Sequence, residues 1–175
     1  MAALSLALAA CERDSQGANA SAKAAAAVPS CPVPVSDVLE LERDLVARVN
    51  ELRARGGQCA DATGFVAARQ LTSSAPLDCA ARLNSQDMAQ TGHFAHRNLD
   101  QLGPRERSRR AGYAGRSVLE NLAWGQRTSA AVIAAWLGSR EHCRALFAPD
   151  ADEIGVGVAL GAGNKQFWTL LLGTR

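Results

Sequence analysis

The chain has 175 residues, of which 47% are hydrophobic and 21% charged, and its formal net charge is +2. This length predicts one domain, and the composition excludes a collagen, a wholly disordered chain and a polytopic membrane protein. A charge this close to neutral does not indicate a nucleic acid partner. The chain contains five cysteines, an odd number that has to be accounted for.

The first ten residues are apolar, uncharged and too short to span a bilayer. They are typical of the end of a signal peptide, so residues 1–10 are predicted to be part of one. The run Leu8-Ala9-Ala10-Cys11 resembles a bacterial lipobox, in which small residues precede the cysteine that is lipidated. We therefore predict a lipid anchor on Cys11 that holds the protein on a membrane, outside the cytoplasm. A protein released to the periplasm or the medium, and an N-terminus with a spare thiol, are the alternatives.

Residues 11–36 are rich in Ala, Ser, Asn, Gln and Pro, with few large apolar side chains. Such a segment cannot bury enough surface to offset its chain entropy, so it is predicted to be a disordered tether before a domain at 37–175. Without Cys11 an even set of cysteines remains, and in an exported chain it predicts two disulfides. Three pairings are open, and no two of the four have the spacing of a zinc knuckle. The four are Cys31, Cys59, Cys79 and Cys143.

Helical periodicity predicts four helices. The first begins at a capping box of Asp37 and Glu40 and ends at Gly56-Gly57. Its apolar face consists of Val38, Leu41, Leu45, Val49 and Leu52. Residues 58–74 are irregular, with a short strand near Phe65, and a second helix runs from Pro76 to about Gln90. A third spans Arg105 to Ala111, and the fourth begins at a cap on Thr128 or Ser129.

After Pro149 the apolar residues alternate, which predicts a strand over 154–160 and, beyond a turn at 161–164, a second strand over 166–173. Gly155 and Gly157 occupy one face of the first of these strands. Glycines in that pattern indicate that a helix or a neighbouring chain packs closely there. Helices followed by an antiparallel sheet predict an α+β domain with layers on both faces.

Three histidines are present, at positions 93, 96 and 142, and Glu120-Asn121 lies between the last two. His96 and Glu120 are 24 residues apart, and Glu120 and His142 are 22 apart. Separations of this size define no local motif, so these side chains can act together only if the fold brings them together.

An ordered series of short blocks resembles the CAP superfamily, also called SCP-like, in its bacterial secreted branch. No single block is specific, but their order is, and the series covers about residues 45 to 173. The blocks are Asn50-Glu51-x-Arg53, Pro76-Leu77, Ser85-x-Asp87-Met88, His93-Phe94-Ala95-His96, Ala111-Gly112-Tyr113, Glu120-Asn121-Leu122-Ala123, Trp136-x-x-Ser139-x-x-His142-Cys143, Ile154-Gly155-Val156-Gly157-Val158 and Phe167-Trp168-Thr169.

The resemblance implies a three-layer α-β-α sandwich with a central antiparallel sheet and a cleft holding two histidines and two acids. His96, Glu120 and His142 match three of these four positions. Ser139 stands where many members carry the second acid, so the full tetrad is absent. Glu141 stands where bacterial members usually carry Gly, and Leu119 replaces the Gly that normally precedes the cleft glutamate.

The chemistry of these residues predicts a weak metal site. Two neutral imidazoles, His96 and His142, can hold Zn²⁺ or another divalent cation reversibly, as the resemblance implies. Glu120 is then either a third ligand or the acceptor that fixes a histidine tautomer. The alternative is a structural role without a metal, in which Glu120 and Asn121 lie at a junction of loop and helix and cap backbone groups.

Other residues receive simpler interpretations. Trp136 and Trp168 are predicted to fill the core, Trp124 to form a rim of the cleft, and His93 to serve on the surface or in packing. Ser139, Glu141 and Asn121 are the remaining predicted neighbours of the cleft.

Residues 97–116 carry six Arg against Asp100 and Glu106, a local charge of +4. We favour a solvated helix and loop there over a surface for anionic lipid or acidic glycan.

The favoured function is a monomeric binding module whose cleft accepts a small lipid, glycan or peptide. A metal-dependent, peptidase-like hydrolase with Glu120 as the candidate catalytic residue is the first alternative, and a structural envelope protein is the second. Neither Gly-x-Ser-x-Gly nor His-Glu-x-x-His occurs, which favours the interpretation without catalysis.

Overall fold

A computed structural model of the chain describes residues 28–175. The predicted signal segment and Cys11 lie outside the described residues. Within the described range the elements are α1 (Ser36–Arg55), β1 (Gly57–Gln58), β2 (Gly64–Phe65), β3 (Thr72–Ser73), α2 (Ala75–Thr91), α3 (Pro104–Arg110), β4 (Ser117–Trp124), α4 (Ser129–Leu137), α5 (Arg140–Leu146), β5 (Glu153–Leu160) and β6 (Gln166–Thr174).

The main sheet has four strands in the order β3-β5-β6-β4, and β1 and β2 form a separate small ribbon. β6 pairs antiparallel with both β5 and β4, while the two-residue β3 runs parallel to β5. Helices α2 and α3 pack on one face, and α1, α4 and α5 on the other. The predicted α-β-α sandwich is therefore confirmed, with a sheet that is antiparallel apart from its shortest strand.

The close approach of α2 to the sheet depends on two glycines of β5. A Cβ atom on Gly155 would collide with the backbone of Leu77, and one on Gly157 with the backbone of Ala81. Ser85 of the same helix donates a hydrogen bond to the carbonyl of Gly157 at 2.8 Å. The prediction that a helix packs against this glycine face is confirmed.

The opposite face holds the larger core, in which Trp136 and Trp168 are fully buried as predicted. Helix α1 contributes an apolar stripe to this core, but it also buries Glu42 and Arg53. Arg53 donates to the carbonyls of four residues, Arg69, Leu146, Ala148 and Ala151, at 2.8 to 3.4 Å. This one side chain therefore joins α1 to the C-terminal end of α5 and the loop that follows.

Carboxylates cover the edge of β5 beyond the short strand β3. Asp78 accepts a hydrogen bond from the backbone N–H of Val156 at 2.9 Å, and Glu42 accepts one from Val158 at 3.2 Å. Glu42 also receives two nitrogens of Arg82 at 2.7 to 3.1 Å. Backbone donors that another strand could otherwise pair with are thus satisfied by side chains.

Two disulfides are present, Cys31–Cys79 and Cys59–Cys143. The prediction of two disulfides is confirmed, and the structure selects one of the three pairings. The first bond ties the segment before α1 to α2, and the second ties the segment after β1 to α5. The disorder of residues 11–27 stays a prediction because those residues are not described, whereas Cys31, near the end of the predicted tether, is bonded to α2.

Several sequence-based boundaries differ from the structure. Helix α1 begins at Ser36 without a side-chain cap, so the capping box of Asp37 and Glu40 is not formed. The cap on α4 is Thr128, whose hydroxyl accepts from the N–H of Ala131 at 3.2 Å, as predicted. Helix α5 and strand β4 were not predicted, and β4 is the strand that carries the candidate site.

Candidate functional site

The candidate site lies at the edge strand β4, between the two helical layers. Glu120 is on the strand itself, His96 is on the loop that follows α2, and His142 is on α5. Helix α2 ends at Gly92, which adopts a left-handed conformation with φ of 71° and turns the chain into this loop. Both α3 and α5 contact β4, so this strand lies between the helical layers from which the two histidines come.

Glu120 connects the loop to the sheet. Its Oε1 accepts a hydrogen bond from Nδ1 of His96 at 2.8 Å, and its Oε2 pairs with Nη2 of Arg107. The glutamate side chain is 1% exposed, whereas that of His96 is 55% exposed. An ionised carboxylate can only accept, so Nδ1 of His96 carries the proton and Nε2 is the nitrogen left without this partner.

Arg107 was not among the predicted site residues, although the structure makes it central to the site. Besides Glu120, its guanidinium donates to the carbonyls of His96 at 2.8 Å and Leu102 at 2.7 Å. It is buried on α3 and holds both the carboxylate and the backbone of the histidine. The expectation of a wholly solvated basic segment is wrong for this arginine, and the other five arginines of residues 97–116 are exposed.

The two histidines have pKa values displaced in opposite directions. The hydrogen bond to Glu120 is the main reason that the pKa of His96 is raised above its ordinary value. Burial lowers the pKa of His142, and the positive charge of His96 lowers it further. His142 is therefore the more readily neutral of the pair.

Asn121 positions His142 from the opposite face of β4. Its side chain is buried, and Nδ2 donates to the carbonyl of His142 at 2.9 Å. Because neighbouring strand residues point to opposite faces, Glu120 engages α3 while Asn121 engages α5. The interpretation of this pair as a cap between loop and helix is wrong, because both residues lie within β4.

The remaining predicted neighbours lie around this centre. Ser139 is the N-cap residue of α5, one turn before His142, and its hydroxyl makes no capping bond. Glu141 is exposed in the first turn of α5, and its charge opposes the lowering of the His142 pKa. Trp124 lies at the end of β4 with its ring 6.3 Å from that of Phe94. His93 is half-buried, and its ring Nε2 lies 3.0 Å from the carbonyl of Arg97.

At the candidate site, the imidazole nitrogens of His96 and His142 are the atoms that could bind a metal ion. Among residues 28–175, no group of three or more His, Cys, Asp or Glu side chains is arranged to hold an ion. Each oxygen of Glu120 already has one hydrogen-bond partner, His96 for Oε1 and Arg107 for Oε2, so the carboxylate can orient the His96 ring. These residues fit a divalent cation only if water or a bound molecule completes its coordination.

Comparison with known proteins identifies the family. The model of the CAP family, described as the cysteine-rich secretory protein family, matches residues 46–172. The chain belongs to the CAP family. YkwD of Bacillus subtilis (strain 168), described as uncharacterized, is 33% identical over 81 residues, which are 46% of this chain and 32% of YkwD. The matched region thus spans about a third of that relative.

Solved structures share the CAP fold at low sequence identity. An outer surface protein from Borrelia burgdorferi superposes with a TM-score of 0.67 at 22% identity, covering 82% of this chain and 96% of that one. An extracellular protein with an SCP domain from Bacillus anthracis gives 0.62 at 19%, covering 83% and 45%. A cysteine-rich secretory protein from Staphylococcus aureus gives 0.60 at 18%, covering 81% and 40%. The chain is a CAP protein of bacterial type.

Proposed function

We propose that this CAP protein is an extracytoplasmic binding module whose ligand site is the surface between His96 and His142. The observation that carries the proposal is the contrast between Glu120 and His96. A buried carboxylate, held by a buried arginine, is used to orient an imidazole whose side chain is 55% exposed. Burying an ion pair in order to fix an exposed ring is expected of a binding site more than of a core.

Within this proposal His96 offers Nε2 and His142 offers its neutral ring to a divalent cation such as Zn²⁺. The cation would supply a positive centre for an anionic or carbonyl group of the bound molecule. Arg107 and Glu120 hold the first imidazole in place, and Asn121 holds the backbone of the second. A small lipid, a glycan or a peptide would then complete the coordination.

Zinc titration by calorimetry tests the proposal. The wild type is expected to give a saturable heat, and the His96→Gln/His142→Gln double variant is expected to lose it. The matched control is His93→Gln, which removes an imidazole three residues from His96 and should leave the heat unchanged. Indistinguishable heats for the wild type and the double variant would contradict the proposal.

The opposed pKa values of the histidines favour a second candidate function, a metal-dependent hydrolase. Groups whose pKa values are separated by their surroundings are typical of acid and base pairs. The lowered pKa of His142 keeps its ring neutral and able to hold a cation, which would supply a water of lowered pKa, while His96 would give a proton to the leaving group. Turnover that a chelator and Glu120→Gln both abolish, with the fold intact, would select the hydrolase over the binding module.

A structural role in the envelope is the remaining alternative. It predicts that His96→Gln and His142→Gln lower the melting temperature and alter neither metal nor ligand binding. Monitoring thermal unfolding by circular dichroism on the calorimetry samples separates this outcome from the other two.

The extracytoplasmic location is part of the proposal. Two disulfides are expected of a chain that folds in an oxidising compartment, and the Bacillus anthracis relative is described as an extracellular protein. Within residues 28–175, no helix is long and apolar enough to cross a membrane. The proposed anchor on Cys11 is tested by mass spectrometry of its peptide from envelope fractions, with Cys11→Ser expected to shift the protein into the soluble fraction.

A further inference from the structure

An aromatic surface lies beside the histidine site and is not used by it. Trp124 is 48% exposed and Phe94 is 41% exposed, and their rings are inclined at 49°. The other two tryptophans of the chain are fully buried in the core. We call the exposed pair of Trp124 and Phe94 the aromatic platform.

A buried aromatic residue supports the platform, and the platform lies next to the candidate site. The Trp124 ring stacks on the buried Phe167 with centroids 6.4 Å apart. Glu120, Leu122 and Trp124 alternate along β4 and so share one face, and the Cα atoms of Glu120 and Trp124 are roughly 13 Å apart. Phe94 precedes His96 by two residues, so the platform adjoins the exposed imidazole.

The ammonium group of Lys165 lies against the platform. Nζ of Lys165 is 5.0 Å from the centroid of the Trp124 ring, in a cation-π contact. Such a contact at an exposed site is weak, so the ammonium can turn toward an anionic ligand at little cost. Glu120, the acid on the same face of β4, is buried and paired with Arg107, so its charge does not offset that of Lys165.

We propose that the platform is a subsite for a carboxylate-bearing sugar residue of a glycan. The apolar C–H face of a pyranose ring packs on an aromatic ring, so a sugar would lie on Trp124 against Phe94. Its carboxylate would meet Lys165, and its hydroxyls would reach Nε2 of His96. The subsite rests on the proposed function, since it names a ligand class for that same surface.

A glycan agrees with these features better than a lipid bilayer. Peripheral binding to a bilayer needs a broad apolar face together with several basic residues, whereas the platform has two half-exposed rings and one ammonium in contact. Rigid aromatic rings that are held in position before binding lose little conformational entropy when a ligand arrives. Binding to an anionic membrane is therefore the competing outcome of the test.

Fluorescence offers a direct test, because Trp124 is the exposed tryptophan while Trp136 and Trp168 are buried. Iodide is expected to quench the fluorescence of the exposed Trp124 and not that of the two buried tryptophans. The Trp124→Phe variant should therefore lose the fluorescence that iodide can quench. Trigalacturonate at about 10 mM should protect Trp124 from iodide, whereas neutral maltotriose should protect less. Calorimetry with trigalacturonate should show a loss of about 10-fold in affinity for Trp124→Ala and about 5-fold for Lys165→Gln.

The control variant is Leu160→Ala, which truncates an exposed apolar side chain of β5 outside the platform and should leave the affinity unchanged. No protection by trigalacturonate, or protection only by phosphatidylglycerol vesicles, would overturn the subsite. Zinc binding measured on the same variants separates the two proposals. Intact zinc binding without saccharide binding removes the subsite alone, and an absence of zinc binding in the wild type removes the proposed function.

Discussion

Glu120 and His96 are 24 residues apart in the chain, yet Oε1 of the glutamate lies 2.8 Å from Nδ1 of the histidine. The contact crosses from the edge strand β4 to the loop after α2. It fixes the tautomer of an exposed ring from inside the protein, because the carboxylate can only accept a hydrogen bond. Arg107 neutralises the other oxygen, so the three side chains act as one unit.

Replacing Glu120 by Gln should lower the pKa of His96 toward its ordinary value. The hydrogen bond to the carboxylate is the main reason that this pKa is raised, and an amide carries no charge to stabilise the imidazolium. The buried guanidinium of Arg107 also loses its counter-ion, which should cost about 3 kcal/mol of unfolding free energy. The imidazole titration followed by NMR and urea unfolding measure the two effects.

The control for that experiment is Glu141→Gln on the exposed first turn of α5. Glu141 raises the pKa of His142, so this variant should move the His142 titration downward and leave His96 unchanged. A His96 titration that does not respond to Glu120→Gln would show that the observed contact does not govern its protonation.

The stability of the protein should respond to pH differently after substitution of each histidine. The raised pKa of His96 contributes stability that is present below its unfolded value near 6.5 and is lost as pH rises through the folded value. The lowered pKa of His142 contributes stability above 6.5 that is lost as pH falls through the folded value. His96→Gln should therefore be more destabilising at pH 5 than at pH 8, and His142→Gln the reverse. Urea unfolding at the two pH values measures both differences, and the same pH response in both variants would contradict these directions.

The features that the sequence pattern predicted correctly are those that depend on residues close together in the chain. Gly155 and Gly157 alternate on one face of β5, and a strand face without Cβ atoms allows a helix to approach whatever that helix is. The apolar stripe of α1 and the glycine that ends it are also properties of a few consecutive residues. Such signals can be interpreted without knowledge of the partner.

Strand β4 and the charged core residues could not be predicted in this way. Glu120 and Asn121 interrupt the apolar pattern of β4, and their partners are 13 to 24 residues away, on α3, the loop after α2 and α5. The four carbonyls that accept from Arg53 are 16 to 98 residues away. Nothing near these polar residues in sequence shows that a partner exists, so they resemble surface residues. The resemblance to the CAP family named Glu120 but did not name Arg107.

Replacing Arg53 by Met should destabilise the protein by roughly 3–5 kcal/mol. Methionine has a similar length but donates no hydrogen bond, so the buried carbonyls of Leu146 and Ala151 would lose their donor. Arg55, two residues later on the exposed side of α1, is the matched control, and Arg55→Met should change stability by about 0.5 kcal/mol or less. Urea unfolding checks both values. Equal stabilities for the two variants would mean that the buried guanidinium is dispensable.

Replacing Gly157 by Ala should separate α2 from the sheet. The added methyl group would overlap the backbone of Ala81 and Arg82, which cannot turn aside as a flexible side chain could. Overpacking of this kind costs roughly 1–3 kcal/mol, and a backbone neighbour favours the upper end of that range. Gly64→Ala in β2 is the control, because a Cβ there has no neighbouring atom within 4 Å.

We expect Gly157→Ala to lower the melting temperature and to speed hydrogen exchange in α2, while Gly64→Ala changes neither. Because α2 leads directly into the loop that carries His96, a displaced helix should also weaken zinc binding. An unchanged melting temperature for Gly157→Ala would show that α2 has room to move away from β5.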